Sequence, residues 1–269
     1  MSEARARRGL AGRGAVVTGA GRGLGREVAI ALAARGMNVV LAGRTPADLE
    51  ATARQIRAEG GGQAVALRTD VRIPCEVAAL RVATEREFGP AGVLVNAAGI
   101  FGPIAPFSES PVDEWIVTLE VNLFGPYLTC RDFVPAMVTA GWGRIVNVSS
   151  AGGILPPVPF DSAYETSKAA LNRLTRQLAV ELEGTGVTAN AIHPGSLKTD
   201  MWADIQAKVT ALGDAAGPLG EWARLVEATG GDSPAAAVDL VIGLIEAPAE
   251  VNGEFHWPRG GRQEPVASW

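Results

Sequence analysis

Two cysteines and two histidines stand among 269 residues, and this scarcity excludes several chemistries at once. Cys75 and Cys130 cannot staple a disulfide scaffold, so a reducing compartment, the cytoplasm, is expected. With His193 and His256 the only histidines, no cluster has metal-ligand spacing, and no metal is predicted. Positive charge is short as well. A net charge of -5 and a pI near 5.2 leave no surplus of Lys and Arg to neutralise a phosphate backbone, and no nucleic-acid partner is expected. No apolar run reaches membrane-spanning length, which argues against a membrane partner. The basic opening "MSEARARRGLAGR" lacks the apolar stretch of a signal peptide, so residues 1–12 read as a loose arm. Repeats, low-complexity tracts and interdomain linkers are missing too. What the chain does have is apolar mass: 47% hydrophobic residues against 20% charged can bury one large core, and 1–269 is predicted to be a single domain.

Short Val/Ala/Leu runs alternate with longer helical patterns. "GAVVTGA", "MNVVLAG", "QAVALRTD", "GVLVNAAG", "GRIVNVSS" and "GVTANAIHPG" have strand character, while "LGREVAIALAARG", "PADLEATARQIRAEG", "CEVAALRVATEREFG" and "SAYETSKAALNRLTRQLAVELEG" carry apolar residues at helical spacing. Strands that are apolar throughout are covered on both faces, so the pattern predicts an α/β fold with a parallel sheet between helices and binding residues just beyond the strand ends. Residues 196–232 break the rhythm and read as an insertion covering a pocket.

The first strand ends in "VVTGAGRGLGREVA", where Gly19, Gly23 and Gly25 precede a helix that begins near Leu24. Glycines allow a sharp turn and close approach to a pyrophosphate, whose charge the free amides and dipole of the helix start favour. No Gly-x-x-x-x-Gly-Lys-Ser/Thr loop occurs, so a dinucleotide is expected in preference to a nucleoside triphosphate. After the second strand, Gly43 stands where an acid would hold the ribose hydroxyls, with Arg44 beside it; Arg22 lies inside the glycine turn. Two guanidiniums without a carboxylate attract a 2′-phosphate, predicting NADP(H) over NAD(H). Asp70 ends the third strand as a candidate for the adenine amino group, and Asn96 ends the fourth.

In "SAYETSKAAL", Tyr164 and Lys168 are four residues apart, which on a helix places them on one face. A cation within about 4 to 6 Å lowers a phenol pKa by roughly 1 to 3 units from its usual value near 10, so the pair could form a proton donor.

Taken together, "TGAGRGLG", Asp70-Val71, "VNAAG", "VNLFG", "IVNVSS", "YETSK" and "NAIHPGSLKTDM" appear in the order of the short-chain dehydrogenase/reductase family, which the chain resembles over nearly its whole length. The resemblance implies a doubly wound Rossmann-type fold with a seven-stranded, mainly parallel sheet and a nicotinamide cofactor. It implies the catalytic set Asn122, Ser150, Tyr164 and Lys168. Cofactor contacts carried over with it are Gly21, Leu24, Val71, Ala97 and Gly99, then Pro194 and Gly195 in the turn near the nicotinamide, Leu197, and Thr199 at its carboxamide. Lys168 would also reach the nicotinamide ribose, Ser150 would hold the substrate oxygen, and Asn122 would keep a water-linked proton path. The family's pairing of long helices implies a homodimer or homotetramer, with "WIVTLEVNLFGPYLTCRDFVPAM" and "ALNRLTRQLAVEL" as the contact.

Three departures follow. The usual Asn-Asn-Ala-Gly is Asn96-Ala97-Ala98-Gly99, losing an amide that ties strands together. One extra residue lies between Ser150 and Tyr164. The tail "GEFHWPRGGRQEPVASW" is atypical, and its Trp257 and Trp269 could pack on a neighbouring subunit, the pocket or the core. Phe101, Gly152, Ile154, Leu155, Met201 and Trp202 are candidates for an apolar substrate pocket. "TAGWGR" and "ELEGTG" lack the basic residues that would favour carrier-protein thioesters, so reduction of a small or polyketide-like apolar ketone ranks above 3-oxoacyl carrier-protein reduction. A non-redox cyclase, dehydratase or binding module on the same fold stays open. A Ser150–His193 hydrolase ranks lowest, since Gly-x-Ser-x-Gly is absent. The wealth of Ala, Gly and Arg points to a GC-rich bacterial genome.

Overall fold

The computed structural model describes residues 9–258 and 260–263. Four βα steps lead to β5: β1 (Gly14–Thr18), α1 (Gly23–Ala34), β2 (Asn38–Gly43), α2 (Pro46–Glu59), β3 (Ala64–Arg68), α3 (Pro74–Phe88) and β4 (Ala91–Asn96), then α4 (Val112–Leu119) and α5 (Gly125–Thr139) ahead of β5 (Gly143–Val148). The long α6 (Ser162–Glu181) leads into β6 (Val187–Ile192), and α7 (Asp200–Leu212), α8 (Gly217–Thr229) and α9 (Pro234–Glu246) precede β7 (Phe255–Trp257) and β8 (Gly261–Gln263). The strands lie in the order β3-β2-β1-β4-β5-β6-β7-β8. All neighbours are parallel except β7 and β8.

The eighth strand corrects the seven expected. The atypical tail turns back at Gly260 and Gly261, both at positive φ, and adds a short antiparallel edge to β7. Within the expected arm 1–12, Leu10 is buried and the Gly12 amide donates to the Gly36 carbonyl; residues 1–8, like Trp269, lie outside the described residues.

Both faces of the sheet are dry. Along β1, Ala15 and Val17 pack with Leu32, Leu49 and Ile56 under α1 and α2, and Val16 joins Phe133, Met137 and Leu182 under α5 and α6. This alternation follows from the period of two in a strand, and burial on both faces explains why its sequence is apolar at every position.

One polar chain crosses this apolar interior. Thr129 Oγ1 donates to Asn96 Oδ1 (2.7 Å), Asn96 Nδ2 to Asn147 Oδ1 (2.9 Å), and Asn147 Nδ2 to Thr175 Oγ1 (2.8 Å). It links α5, β4, β5 and α6, and all four residues are buried. Two expectations change as a result. Asn96 spends its side chain inside the sheet, both its oxygen and its amide taken by protein partners, because Asn147 lies directly opposite in register. The amide lost at Ala97 is compensated: Asn96 ties the strands, and the Thr18 hydroxyl accepts from the Ala97 and Ala98 amides (both 3.2 Å).

The interrupted region 196–232 folds as α7 and α8. They carry an apolar cluster of their own, in which Trp202, Ile205, Val209 and Leu219 close on Phe101 and Ile104 from the loop after β4. Among the described residues no helix is long and apolar enough to cross a membrane, and no group of metal-binding side chains gathers.

Candidate active site

The glycine turn lies between β1 and α1. Gly19 (φ 67°) and Gly23 (φ 54°) adopt the left-handed region that a side chain disfavours, and a Cβ on Gly19 would stand 2.9 Å from the Ala98 backbone. Gly25 is packed harder: its Cβ would meet the Gly19 carbonyl. Gly21 rests on Asp48 at the start of α2. Arg22 makes no side-chain cap for α1, and no acid occupies the first turn, so the amides at this helix start are left for a ligand with negative charge.

Around that turn the positive charge is arranged differently from expectation. Arg22 Nη1 forms an exposed pair with Asp200 Oδ2 at 3.0 Å, linking the glycine turn to the first residue of α7. Arg44 lies close enough to Asp70 to help hold its carboxyl below the usual range, but Arg72 is the larger cause: it grips both Asp70 oxygens through Nε and Nη2. The adenine contact expected of Asp70 therefore competes with a salt bridge. Arg72 is a third guanidinium in this neighbourhood, not among the residues expected from the sequence; its place two residues after Asp70, in "TDVR", was the available signal. Thr199 reaches the same place, since a Cβ on Gly23 would lie 3.5 Å from its methyl group.

Tyr164 and Lys168 share one face of α6, as the spacing requires, and the Lys168 ammonium lies 5.5 Å from the Tyr164 ring centre. Lys168 is only 4% exposed, with its Nζ donating to the Val148 carbonyl at 2.8 Å. Burial brings its pKa down to about 8. The Tyr164 phenol moves up, contrary to the expected lowering: burial raises it, the neighbouring Asp161 adds to the rise, and the hydrogen-bonded Ser150 hydroxyl offsets only part. The physical reason is desolvation: burial penalises the phenolate by more than the Ser150 hydrogen bond returns.

Asn122 sits in a π-helical turn, Glu120–Phe124, inserted between α4 and α5, a distortion common at functional sites. Fully buried, it accepts from the Ile100 amide (2.9 Å) and donates to the Ile100 carbonyl (2.8 Å) and Ser167 Oγ (3.0 Å). Gly99 brings the backbone close to these residues: a Cβ there would lie 3.4 Å from Asn122 Oδ1 and 3.8 Å from both Lys168 Nζ and Met201 Cε.

The apolar candidates divide. Phe101 stacks on Tyr164, with centroids 4.5 Å apart, and Met201 and Trp202 belong to the same cluster. Ile154 does not join them; it packs behind, on Ala191 and Phe255, because the short turn Ala151–Gly153 carries it toward β6 and β7. Leu155 is exposed, and Gly152 faces Glu165. His193 packs edge-to-face against Trp257 at 5.2 Å, and burial drops its pKa to about 4. Trp257 thus packs within the fold. Gly195 (φ 90°) and Ser196 are fixed by Asp232, whose Oδ2 accepts the Ser196 amide at 2.8 Å.

Comparison with known proteins identifies the family. A short-chain dehydrogenase family model matches residues 13–210. A short-chain type dehydrogenase/reductase of Picea abies is 38% identical over 200 residues, covering 72% of this chain and 73% of that protein. The cis-4-hydroxycyclohexanecarboxylate dehydrogenase of Sinomonas cyclohexanicum is 40% identical over 215 residues, covering 80% and 85%. Among solved structures, a variant of the actinorhodin polyketide ketoreductase with NADPH superposes with TM-score 0.82 at 32% identity, over 91% of this chain and 95% of its own. With the family model spanning most of the chain and the fold shared along nearly all of it, the protein belongs to the short-chain dehydrogenase/reductase family of oxidoreductases.

Proposed function

We propose that this oxidoreductase is an NADPH-dependent ketoreductase acting on an apolar or polyketide-like ketone. The observation that carries the reading is the buried Tyr164–Lys168 pair on one face of α6, with Lys168 beside Gly99 and Asn122. The glycine turn and uncapped start of α1 fit a dinucleotide pyrophosphate, with Arg22 and Arg44 for the 2′-phosphate. Bound there, the cofactor supplies the hydride. As the ketone takes it up, negative charge gathers on the carbonyl oxygen, which Ser150 and Tyr164 hold between two hydroxyls. Tyr164 Oη releases its proton to that oxygen; burial, by raising the phenol, keeps the proton in place until the more basic alkoxide develops beside it. Lys168 positions the nicotinamide ribose and offsets the phenolate charge, and Asn122, fixed by Ile100 and Ser167, steadies the path that returns a proton. The ketoreductase neighbour with NADPH and the relative that acts on a cyclohexane alcohol support a carbonyl/alcohol substrate of this kind.

Loss of NADPH absorbance with a panel of cyclic and linear ketones tests the reading. NADPH is expected to be preferred over NADH by at least about tenfold in kcat/KM, with Arg44→Ala bringing the ratio toward unity, since charge-assisted phosphate contacts contribute roughly 1.5–3 kcal/mol each. An NADH preference in the unaltered protein overturns the cofactor assignment.

A homodimer or homotetramer is part of the same proposal. Trp115, Ile116, Leu119, Phe124, Tyr127 and Leu174 line an apolar cleft of about 410 Å³ shared by α4, α5 and α6, the helices expected to pair. Ile116 and Tyr127 are 47% and 44% exposed, an apolar surface that a second copy would cover. Light scattering is expected to give at least twice the 27.8 kDa chain mass, and a monomer would sink this part.

A further inference from the structure

Asp161 precedes α6 at the N-cap position, where an aspartate ordinarily accepts a hydrogen bond from the first turn of its helix. This one makes no such bond. It is 5% exposed, and its Oδ1, shut off from solvent, meets no hydrogen-bond partner. A buried oxygen left unpaired is costly, and in native proteins such an atom calls for a reason. The residue before it, Phe160, holds φ at 72°, a conformation that is strained for a non-glycine residue and is concentrated at functional sites. The Phe160 carbonyl accepts from the Ala105 amide, which fixes this corner against the loop after β4. Asp161 lies one helical turn before Tyr164 and is close enough to act on the phenol when ionised, while Phe160, Phe101, Met201 and Trp202 form the apolar cluster around that ring.

From this geometry we infer that Asp161 is a specificity-determining residue of the proposed ketoreductase: its carboxyl hydrogen-bonds a second oxygen of the substrate, so the pocket selects hydroxy-ketones or diketones over ketones with one oxygen. The inference rests on the reading of the Tyr164 site as a carbonyl-reducing centre. Neutral in the folded protein, with burial and nearby Glu165 pushing its pKa up to about 9, the carboxyl offers both a donor and an acceptor, which suits a hydroxyl or a carbonyl alike. An apolar wall around one satisfied polar group discriminates by the group a competitor lacks.

The test compares 4-hydroxycyclohexanone with cyclohexanone. In the intact protein kcat/KM is expected to favour the hydroxy-ketone by roughly 10- to 100-fold, Asp161→Asn to keep most of that ratio because an amide still donates and accepts, and Asp161→Leu to bring it within about threefold of unity. Equal losses for both ketones in Asp161→Leu, or no preference in the intact protein, overturn the inference. Calorimetric titration of both ketones into Tyr164→Phe with NADPH present reads the contact without turnover. A binding preference there alongside no turnover in the intact protein sinks the reductase reading and keeps the Asp161 contact; equal or absent binding sinks the contact.

Discussion

Tyr164→Phe is expected to lower kcat for ketone reduction by roughly 10²–10⁴-fold while the protein still binds NADPH and unfolds at close to its original temperature. The size follows from what is removed. Phenylalanine keeps the ring that stacks on Phe101 and packs in the cluster with Met201, so the pocket wall is retained. Only the hydroxyl goes, and with it the proton donor and one of two groups on the carbonyl oxygen. Ser150 keeps its bond from the Gly152 amide, so the loss does not spread into the turn. Steady-state rates, with cofactor affinity followed by NADPH fluorescence, check this. Activity within tenfold of the original would show that another group delivers the proton.

Raising the pH from 5 to 9 is expected to destabilise the protein relative to its Asp161→Asn variant by several kcal/mol, a widening of about 10 °C between their Tm values. The sign is set by where each proton is held. Asp161 has a pKa of about 9 in the fold against 3.8 for an ordinary aspartate, so between those values the unfolded chain has released a proton that the folded chain keeps, and stability falls as pH rises. Glu165, raised to about 7 by burial, acts in the same direction over a lower window. Lys168 opposes them at the alkaline end: with its pKa reduced to about 8, the unfolded chain holds the extra proton up to 10.5, and stability is gained there. His193 matters on the acid side, where the unfolded chain protonates below 6.5 and the buried ring resists down to about 4. The asparagine variant cancels all but the first contribution. Melting curves of both proteins across this range decide it, and two parallel profiles would mean that Asp161 ionises freely in the fold.

The sheet, the glycine turn and the Tyr164–Lys168 face were legible because each follows from local pattern: period two with both faces apolar, glycines where φ must be positive, and four residues to a helical turn. The eighth strand was not, since three residues of "GRQ" have no strand pattern and pair only because a glycine turn returns them to β7. The use of the Asn96 side chain was hidden for a related reason: position at a strand end was visible, but its hydrogen bonding depends on register with Asn147, a long-range property. Arg72 escaped notice because its grip on Asp70 is a matter of rotamer, and Asp161 because nothing in "FDSAY" distinguishes a helix cap from a carboxyl that declines to cap.

The transverse chain Thr129–Asn96–Asn147–Thr175 has a consequence for how this sequence can change over generations. At Val16 or Ile145 a residue of similar volume can be exchanged alone, since apolar packing asks only for shape. Each asparagine in the chain, by contrast, has its oxygen and its amide committed to two different neighbours, so a single exchange strands a donor on one side and an acceptor on the other. These four sites, contributed by four separate elements, are therefore expected to drift in step or not at all. A substitution neutral in one background is harmful in another, and the order in which changes arrive decides which sequences the lineage can reach.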